Sequence, residues 1–579
     1  MRVKSLRYFY FSRGPRITAG KTYRVASLDH LARISDFPGA SNIQFRTDLL
    51  RDKMTEGVSD FGKNKFPSLF PPAMKKFRTA LQILVPAAVF GVLELYFFLQ
   101  AVNAPVNDNE QMYLPCSVLF GKFSLYQDFG YFQLPNLPVL LGTLYRLTGT
   151  SHYLFLGRLL VFLCANLAAL LIGLFTRRLT RDYLASVLTP FLFLANASTF
   201  IASMQTANYI APIPFAILGL YLFHAGISED KPARGKIFWS GIFCALAIGF
   251  RLTFIFLLPP LYLIALFYPR SENFSSRLLK IILPLTIGSL LGFAPAFYYL
   301  LRDFHSFIYL NWTCYFNQDY YDLLGMRPRM PILAGIKYLT TYWDNEMLLE
   351  LMLLFLALAL AGVWLKPSKP VQKSNAVIMF LITLVLSIAT LLVRPRVYPE
   401  YLSQPLPFAL LCIAACHSRV AFLKKIYLDI LLLVAALALA LWNCPSRAEM
   451  KMLPRNYRQW AVTRVHDKAV SMREMIGGSG REIKVGTLYP LYALEGGMQI
   501  YNEFSTGPFL YIFESTVRHK SYGPATSPAG LNDLFDRYPP SALLVKPGDR
   551  FNAGFESYAR SRRYQKLPDS FSGFVLYVR

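Results

Sequence analysis

Acidic residues are scarce in this sequence, and charged residues of either sign make up only 16% of it. The 579 residues include 34 Asp and Glu against 60 Lys and Arg, and 54% of all residues are hydrophobic. A soluble domain of this size does not contain so many segments of about 20 residues that are nearly free of charge. The composition therefore excludes a soluble globular chain and predicts a polytopic α-helical membrane protein.

Cysteine and histidine are also few, with seven of each. Most of the Cys lie inside apolar runs without CxxC spacing, and the His are scattered, which argues against a disulfide or metal framework. The C-terminal part has no GxGxxG or phosphate-binding loop, so nucleotide binding is unsupported. The chain also has no internal repeat and no nucleic-acid motif, so we expect no nucleic-acid partner.

Eleven apolar runs predict transmembrane helices. They are residues 81–101, 154–175, 183–203, 208–227, 237–250, 252–268, 279–300, 347–365, 376–393, 403–417 and 426–442. A further run, 134–147, is apolar but short, and it is either a twelfth span or a helix in the outer interface.

The basic loops decide between these two alternatives. If 134–147 does not cross, five basic loops all fall on the cytoplasmic side, as the positive-inside rule requires. These loops are residues 177–181, 231–236, 270–280, 366–373 and 419–425. This topology explains the net charge of +26, and it predicts a cytoplasmic N-terminus and an extracytoplasmic C-terminus.

The sequence divides into three parts. Residues 1–77 are basic and irregular, and they are either a transit-like tail or an upstream extension of a chain that starts at Met74. Residues 78–443 form the predicted transmembrane domain. Residues 444–579 contain Pro/Gly turns and short β-rich runs, which predict a small extracytoplasmic α/β domain.

Three of the few acids lie in the first outer loop, residues 102–153. Asp108, Glu110 and Asp128 stand there among aromatic residues and prolines. Carboxylates this close to a membrane are costly unless they face water or a substrate. Such a cluster suits a transferase that must deprotonate a hydroxyl group beside a lipid-borne donor.

Each acid also has a structural alternative. Asp108 is a suitable N-cap for a helix beginning near Glu110. Glu110 shares a helical face with Tyr113, so it either reacts or orients Asp108 and the loop. Asp128 either takes part in catalysis or caps a turn.

The first outer loop contains the motif Asp108-x-Glu110-x-x-Tyr113, followed by Gly121, Tyr126, Asp128-Phe129, Tyr131, Gln133 and Pro135. With this motif the loop resembles that of GT-C glycosyltransferases, in the branch of the family 39 protein mannosyltransferases and the bacterial aminoarabinose and Rgt-type transferases. Four later segments also fit this resemblance: Gly157-Arg158, GIFCALAIGFR (241–251), VRPRVYPEYLSQPLP (393–407) and GTLYPLYALEGGMQIYNEFSTGPF (486–509).

This resemblance implies an inverting transferase of the bacterial cell envelope, located in the inner (plasma) membrane. The donor would be a polyprenyl-phosphate sugar and the acceptor a lipid, a glycan or a protein. The fold would be a GT-C bundle of eleven to thirteen helices with an outward soluble domain. Asp108 matches the catalytic acid, acting as general base or as ligand of a divalent metal ion that some members use; no other cofactor is implied.

The sequence departs from this family at two positions. Asn109 separates Asp108 from Glu110, whereas many members have Asp followed directly by Glu. Leu134 occupies the position of a phosphate-binding lysine in the aminoarabinose branch, so the donor phosphate needs other cations.

The cations predicted at the outer face are Arg251, Arg394 and Arg396. A snorkelling role at a span end is the alternative for Arg251. The predicted substrate contacts are Tyr113, Tyr131, Gln133, Tyr398, Glu400 and Tyr401. A membrane-interface aromatic belt is the alternative for Tyr398 and Tyr401.

A transporter or lipid flippase is the alternative function. Such proteins place polar groups or broken helices at the membrane midplane. Here the spans are apolar in the middle and the polar groups collect on one face, which favours the transferase.

Overall fold

Most of the described chain is helical. The computed structural model describes residues 90–229, 231–269, 271–313, 330–344, 348–365, 374–393, 397–420, 425–443, 454, 456–477, 482–511, 527–568 and 573–579. The predicted N-terminal extension, 1–77, lies outside these residues.

Eighteen helices precede the C-terminal part of the described chain. They are α1 (Phe90–Asn103), α2 (Asp108–Leu119), α3 (Asn136–Thr148), α4 (Tyr153–Thr180), α5 (Tyr183–Ala195), α6 (Ala197–Ser203), α7 (Ile213–Ile227), α8 (Arg234–Phe250), α9 (Leu258–Phe267), α10 (Phe274–Arg277), α11 (Leu283–Gly292), α12 (Ala294–Arg302), α13 (Phe304–Ile308), α14 (Ile332–Asp344), α15 (Leu348–Leu365), α16 (Ser374–Leu392), α17 (Leu406–His417) and α18 (Lys425–Asn443). Two 3₁₀ segments, Leu252–Leu257 and Pro399–Ser403, precede α9 and α17.

Every predicted span contains at least part of a helix, but the count of spans stays a prediction. Among the described residues, Tyr153–Thr180, Phe274–Gly292 and Asn375–Leu392 are long and apolar enough to cross a membrane. The pair α5 and α6, bent by 61° at its break, adds a fourth if it is one span. Helix α3 has 13 residues, so its length of about 20 Å is shorter than a hydrocarbon core of about 30 Å.

Small residues bring α8 and α11 into backbone contact. A Cβ atom at Gly241 would overlap the carbonyl oxygen of Leu285, and one at Gly288 would overlap that of Phe238. Small residues at such spacing are how membrane helices approach closely. This contact fixes the end of α8, where Arg251 follows.

A buried ion pair joins α1, α2 and α4. Arg158 of α4 and Glu110 of α2 both have side chains that are 0% exposed. The guanidinium donates to both Glu110 carboxylate oxygens, at 2.8 and 2.7 Å. Its other three N–H groups donate to carbonyl oxygens at the end of α1, those of Ala101, Ala104 and Pro105. Helix-end carbonyls lack intrahelical partners, so Arg158 satisfies them and uses all five of its donors.

The C-terminal part forms a five-stranded sheet flanked by short helices. Its strands are β1 (Lys484–Gly486), β2 (Gln499–Ile500), β3 (Ala542–Val545), β4 (Gln565–Lys566) and β5 (Val575–Val578), in the order β2-β1-β3-β5-β4. Strands β2, β1 and β3 are parallel, and β5 is antiparallel to β3 and β4. The predicted β-rich runs 483–488, 542–545 and 574–578 each contain a strand. The helices here are α19 (Ala461–Met475), α20 (Pro490–Glu495), α21 (Pro508–Tyr511), α22 (Leu531–Arg537) and α23 (Ala553–Ser561).

A charged joint attaches this α/β part to the start of α4. The buried carboxylate of Glu495 accepts from the backbone N–H of Leu154 at 2.5 Å. Its other oxygen lies 2.9 Å from Nδ1 of His466, and the His466 ring lies 3.7 Å from that of His152. The hydrogen bond with Glu495 raises the pKa of His466, and burial raises the pKa of Glu495. Burial, and then the neighbouring His466, lowers the pKa of His152.

We predict that removing one partner of the buried ion pair strongly destabilises the protein. Glu110→Ala leaves the Arg158 guanidinium buried without its counterion, a change that costs about 3–5 kcal/mol. Glu229→Ala is the control because it breaks an exposed pair with Lys236, worth about 0–1 kcal/mol. Thermal unfolding in detergent should give a much lower Tm for Glu110→Ala than for the control. Equal shifts would contradict the role of the ion pair.

We predict that the joint weakens as the pH rises. A raised folded-state pKa means that folding binds protons, so the contribution of His466 is complete below its ordinary pKa of about 6.5 and is lost above its raised pKa. The Tm of the wild type should therefore fall as the pH rises above about 6.5, and more steeply than that of His466→Gln. The lowered pKa of His152 acts in the opposite direction, but it does so below its ordinary value of about 6.5, so the comparison is made above that pH. His305→Gln removes an exposed His and should leave the slope unchanged; parallel curves for the wild type and His466→Gln would reject the prediction.

Candidate active site

Asp108 is the first residue of α2, and it does not cap that helix. Asn107 is the N-cap: its side chain accepts from the backbone N–H of Glu110 at 3.0 Å, and Glu110 accepts in return from the N–H of Asn107. This reciprocal arrangement is a capping box. The capping alternative for Asp108 is therefore wrong, and its carboxylate stays available at the positive end of the helix.

The Asp108 carboxylate lies in a recess of the protein. Its side chain is exposed to solvent, yet the surrounding protein desolvates it and raises the pKa of the carboxyl group. Lys546 lowers this pKa and Asp549 raises it. A carboxylate that solvent reaches but protein surrounds is suited to meeting a substrate in a concave site.

Lys546, Asp549 and Tyr489 were missed by the sequence analysis. Lys546 follows β3 directly, and Tyr489 follows β1 by three residues. The carboxyl ends of adjacent parallel strands share one sheet edge, where α/β proteins bind ligands. The sequence signal that could have indicated these residues is the Pro547-Gly548 pair, which immediately follows a predicted strand. In the structure Gly548 has φ +75°.

Hydrogen bonds to Asp549 hold the turn 546–549 in place, and the Lys546 side chain in this turn is exposed to solvent. Asp549 accepts from the hydroxyl of Tyr489 at 2.7 Å, from the N–H of Phe551 at 3.0 Å and from Asn552 at 2.9 Å. The exposed Lys546 ammonium lies 5.6 Å from the Tyr489 ring centre. Asp549 is thus occupied by neighbours, whereas Lys546 can bind an anion.

The segment 486–509 docks this edge onto α2. The side chain of Gln111, one turn after Asp108, accepts from the N–H of Leu491 at 3.0 Å. Farther along α2, the Cys116 thiol donates to the carbonyl oxygens of Gly130 and Ser505 at 3.5 and 3.6 Å. The segment is therefore a packed loop that contacts the helical part of the chain.

The other two predicted acids are engaged in structural contacts. Glu110 accepts from Arg158, from Asn107 and from the N–H of Thr206 at 3.0 Å, which favours the orienting role over direct reaction. The exposed Asp128 accepts from the N–H of Ser124 at 2.6 Å, which favours the turn-capping alternative.

The predicted aromatic contacts of the first loop lie below the surface. Tyr113 and Tyr131 are buried and meet edge to face, with ring centres 5.9 Å apart. The Tyr113 hydroxyl donates to Asn208 at 3.1 Å, and Asn208 donates to the carbonyl oxygen of Phe250 at 3.1 Å. Gln133 is 8% exposed. These side chains support the loop more than they line an open surface.

Arg251 ends α8 between two tyrosine rings. Its guanidinium carbon lies 4.8 Å from the ring centre of Tyr209 and 4.5 Å from that of Tyr401, a geometry of strong cation–π contact. Tyr398 packs on Tyr401 at 5.3 Å, and Glu400 belongs to the same 3₁₀ segment. The structure thus brings Arg251 together with Tyr401, although Arg251 is only 1% exposed.

Two sequence-predicted cations, Arg394 and Arg396, lie outside the described residues. The described residues contain one group of His, Cys, Asp or Glu side chains close enough to hold a metal ion, and it does not include Asp108. A divalent ion at Asp108 therefore stays a prediction.

Comparison with known proteins identifies the fold. The sequence matches no family model and no curated protein. Two crystal structures of ArnT from Cupriavidus metallidurans are similar, one bound to undecaprenyl phosphate and one in the apo state, both with a TM-score of 0.53. Their sequence identity is 12% and 13%, and the alignments cover 86% of this chain and 97% and 98% of theirs. The resemblance stated from the first loop is thus confirmed at the level of the fold, because the chain has the fold of ArnT.

Proposed function

We propose that this protein is an inverting glycosyltransferase that moves a sugar from a polyprenyl-phosphate donor to an acceptor outside the cytoplasm. The observation that carries the proposal is the recess at Asp108 of the helical part, where burial raises the carboxyl pKa and the charge of Lys546 in the α/β part lowers it. The fold supports it, because ArnT was crystallised with undecaprenyl phosphate. The acceptor is a lipid, a glycan or a protein.

Asp108 acts as the general base in this proposal. An acceptor hydroxyl oxygen attacks the anomeric carbon, its proton passes to Asp108, and the bond between that carbon and the phosphate oxygen breaks. The polyprenyl phosphate leaves with the electron pair of that bond. Desolvation raises the pKa of Asp108, and a base is most effective when its pKa approaches the working pH.

The leaving phosphate needs a cation that it can reach. Lys546 is exposed beside the recess, and the held turn 546–549 keeps its backbone in place. Arg251 is buried under Tyr209 and Tyr401, so a phosphate contacts it only when one of these rings turns aside. We assign Lys546 the first contact, with Arg251, Arg394 and Arg396 as further candidates from the sequence.

The proposal is tested by incubating the purified protein with polyprenyl-phosphate mannose, glucose, galactose and aminoarabinose and measuring release of the polyprenyl phosphate. Asp108→Asn should reduce release by about 10²–10⁴-fold, the usual effect of losing a general base. Asp533→Asn is the matched control, because Asp533 is also an exposed Asp in the first turn of a helix. An unchanged Tm would show that Asp108→Asn still folds.

Two outcomes would contradict this assignment. Near wild-type turnover of Asp108→Asn would remove Asp108 from the mechanism. Movement of labelled lipid across vesicle membranes without release of sugar from any donor would favour the flippase alternative.

We also predict that Lys546→Met weakens binding of undecaprenyl phosphate. Loss of one charged hydrogen bond, about 1.5 kcal/mol at the low end of its range, corresponds to roughly tenfold weaker binding. Lys566→Met is the control, because it removes an exposed Lys of β4 in the same part of the chain. Affinities should be measured at low and high salt, since the contribution of an exposed cation is screened. Identical affinities for both variants would exclude Lys546 from the phosphate site.

A further inference from the structure

A His and two Asp side chains meet at the end of α4 remote from the candidate active site. Asp182 lies in the turn between α4 and α5, His417 is the last residue of α17, and Asp429 lies in the first part of α18. One potential ligand atom of each lies within 4.8 Å of the other two. The group therefore joins three separate parts of the helical bundle.

His417 and Asp429 are buried, Asp182 is half-buried, and the group has no basic partner in the described part of the chain. The side chains of His417 and Asp429 are 0% and 8% exposed, and Nε2 of His417 lies 3.2 Å from Oδ1 of Asp429. Neither carboxylate contacts a Lys or an Arg among the described residues, and the buried Nδ1 of His417 has no hydrogen-bond partner there. Buried carboxylates are normally paired or bound to a metal.

The remaining contacts hold the ligands and leave oxygen atoms available. Oδ1 of Asp182 accepts from the N–H groups of Leu184 and Ala185, at 2.9 and 3.3 Å, which fixes the carboxylate as the N-cap of α5. Its Oδ2 has no donor among the described residues. The His417 ring is stacked on Phe355 of α15, with ring centres 6.1 Å apart, so its orientation is fixed as well.

We propose that Asp182, His417 and Asp429 bind a divalent transition-metal ion of the zinc type. Imidazole nitrogen with carboxylate oxygen is a ligand set that suits zinc and manganese better than magnesium, which prefers oxygen alone. Three protein ligands leave room for a water molecule as the fourth. The ion ties the turn between α4 and α5 to α17 and α18.

This site is separate from the proposed transfer reaction. Helix α4 has 28 residues, so its length of about 42 Å separates Asp182 from the joint at Leu154. The basic-loop topology assigns this end of the bundle to the cytoplasmic side. The ion is therefore structural, and its absence would leave the proposed glycosyl transfer untouched.

The rival interpretation is a protonated His417 that bridges the two carboxylates without any metal. Among the described residues, the Phe355 ring and the Thr180 hydroxyl also contact the cluster, and that hydroxyl accepts from the N–H of Asp182 at 3.0 Å. An arrangement held by hydrogen bonds alone would be indifferent to chelators. A metal site would lose its ion to a chelator, and the protein would lose stability with it.

The experiment uses the full chain, purified without a polyhistidine tag. Bound metals are measured by mass spectrometry before and after dialysis against a chelator, and Tm is measured as zinc, manganese, magnesium or calcium is added back. We expect about one zinc or manganese ion per chain, a lower Tm after chelation, and recovery with zinc or manganese but not with magnesium or calcium. His417→Gln and Asp429→Asn should lose the ion, whereas His305→Gln, at an exposed position, should keep it.

If the variants do not fold, the metal content and Tm of the wild type decide whether the site binds a metal ion. A chain that binds less than a tenth of an equivalent of every metal added, and whose Tm no added metal raises, would overturn the proposal in favour of the metal-free arrangement. Retention of a full equivalent by folded His417→Gln and Asp429→Asn would overturn it as well.

Discussion

The position of α2 depends on one guanidinium. Arg158 directs all five of its N–H groups to acceptors on α2, at the end of α1 and in the two residues that follow α1, so the two helices and α4 meet at a single fully buried side chain. In that low-dielectric setting an unpaired charge is far more costly than a paired one. Any shift of α2 would break several of these bonds together, and Asp108, two residues before Glu110, is therefore held at a defined point.

Two hydrogen bonds, one to α2 and one to α4, orient the α/β part. Gln111 of α2 accepts from the backbone N–H of Leu491, and Glu495, four residues after Leu491, accepts from the backbone N–H of Leu154 at the start of α4. Leu491 and Glu495 both belong to the short helix α20, which begins four residues after the end of β1. The sheet edge that carries Tyr489 and Lys546 is therefore fixed relative to the helix that carries Asp108. The candidate site exists only where the two parts of the chain meet.

Hydrophobicity made the helices predictable, because a charge-free run of this length has few alternatives to a helix in a membrane. The strands near 484, 542 and 575 were also predictable from local β-rich runs. The hydrogen-bond and ion-pair partners of the acidic residues were not predictable from the sequence. Asn107 and Asp108 are both good N-caps by residue type, and only the geometry of the capping box distinguishes them.

Long-range contacts explain the remaining gaps. Nothing in the local sequence around Glu110 indicates that it pairs with Arg158, or that Lys546 approaches Asp108, because such pairs form only when separate parts of the chain pack together. In the turn at Asp128, the carboxylate accepts from the N–H of Ser124 and the Asp128 N–H donates to the carbonyl oxygen of Ser124, a pairing that an acid before an aromatic residue does not specify. Sequence reasoning singled out the loop that contains the candidate base, but the contacts of each acid within that loop became visible only in the fold.

The exposure of the cations gives the α/β part a direct role in the proposed reaction. A lipid phosphate at the recess meets charge at Lys546, since Arg251 lies under two rings and is 1% exposed. Leu134, at the position of the lysine in the aminoarabinose branch that the first loop resembles, is itself buried. In the proposed function, Lys546 at the end of β3 takes the place of that lysine. It follows that separating the α/β part from the bundle would remove both the wall of the recess and its reachable cation, and the helical part alone would keep the base without the group that holds the leaving phosphate.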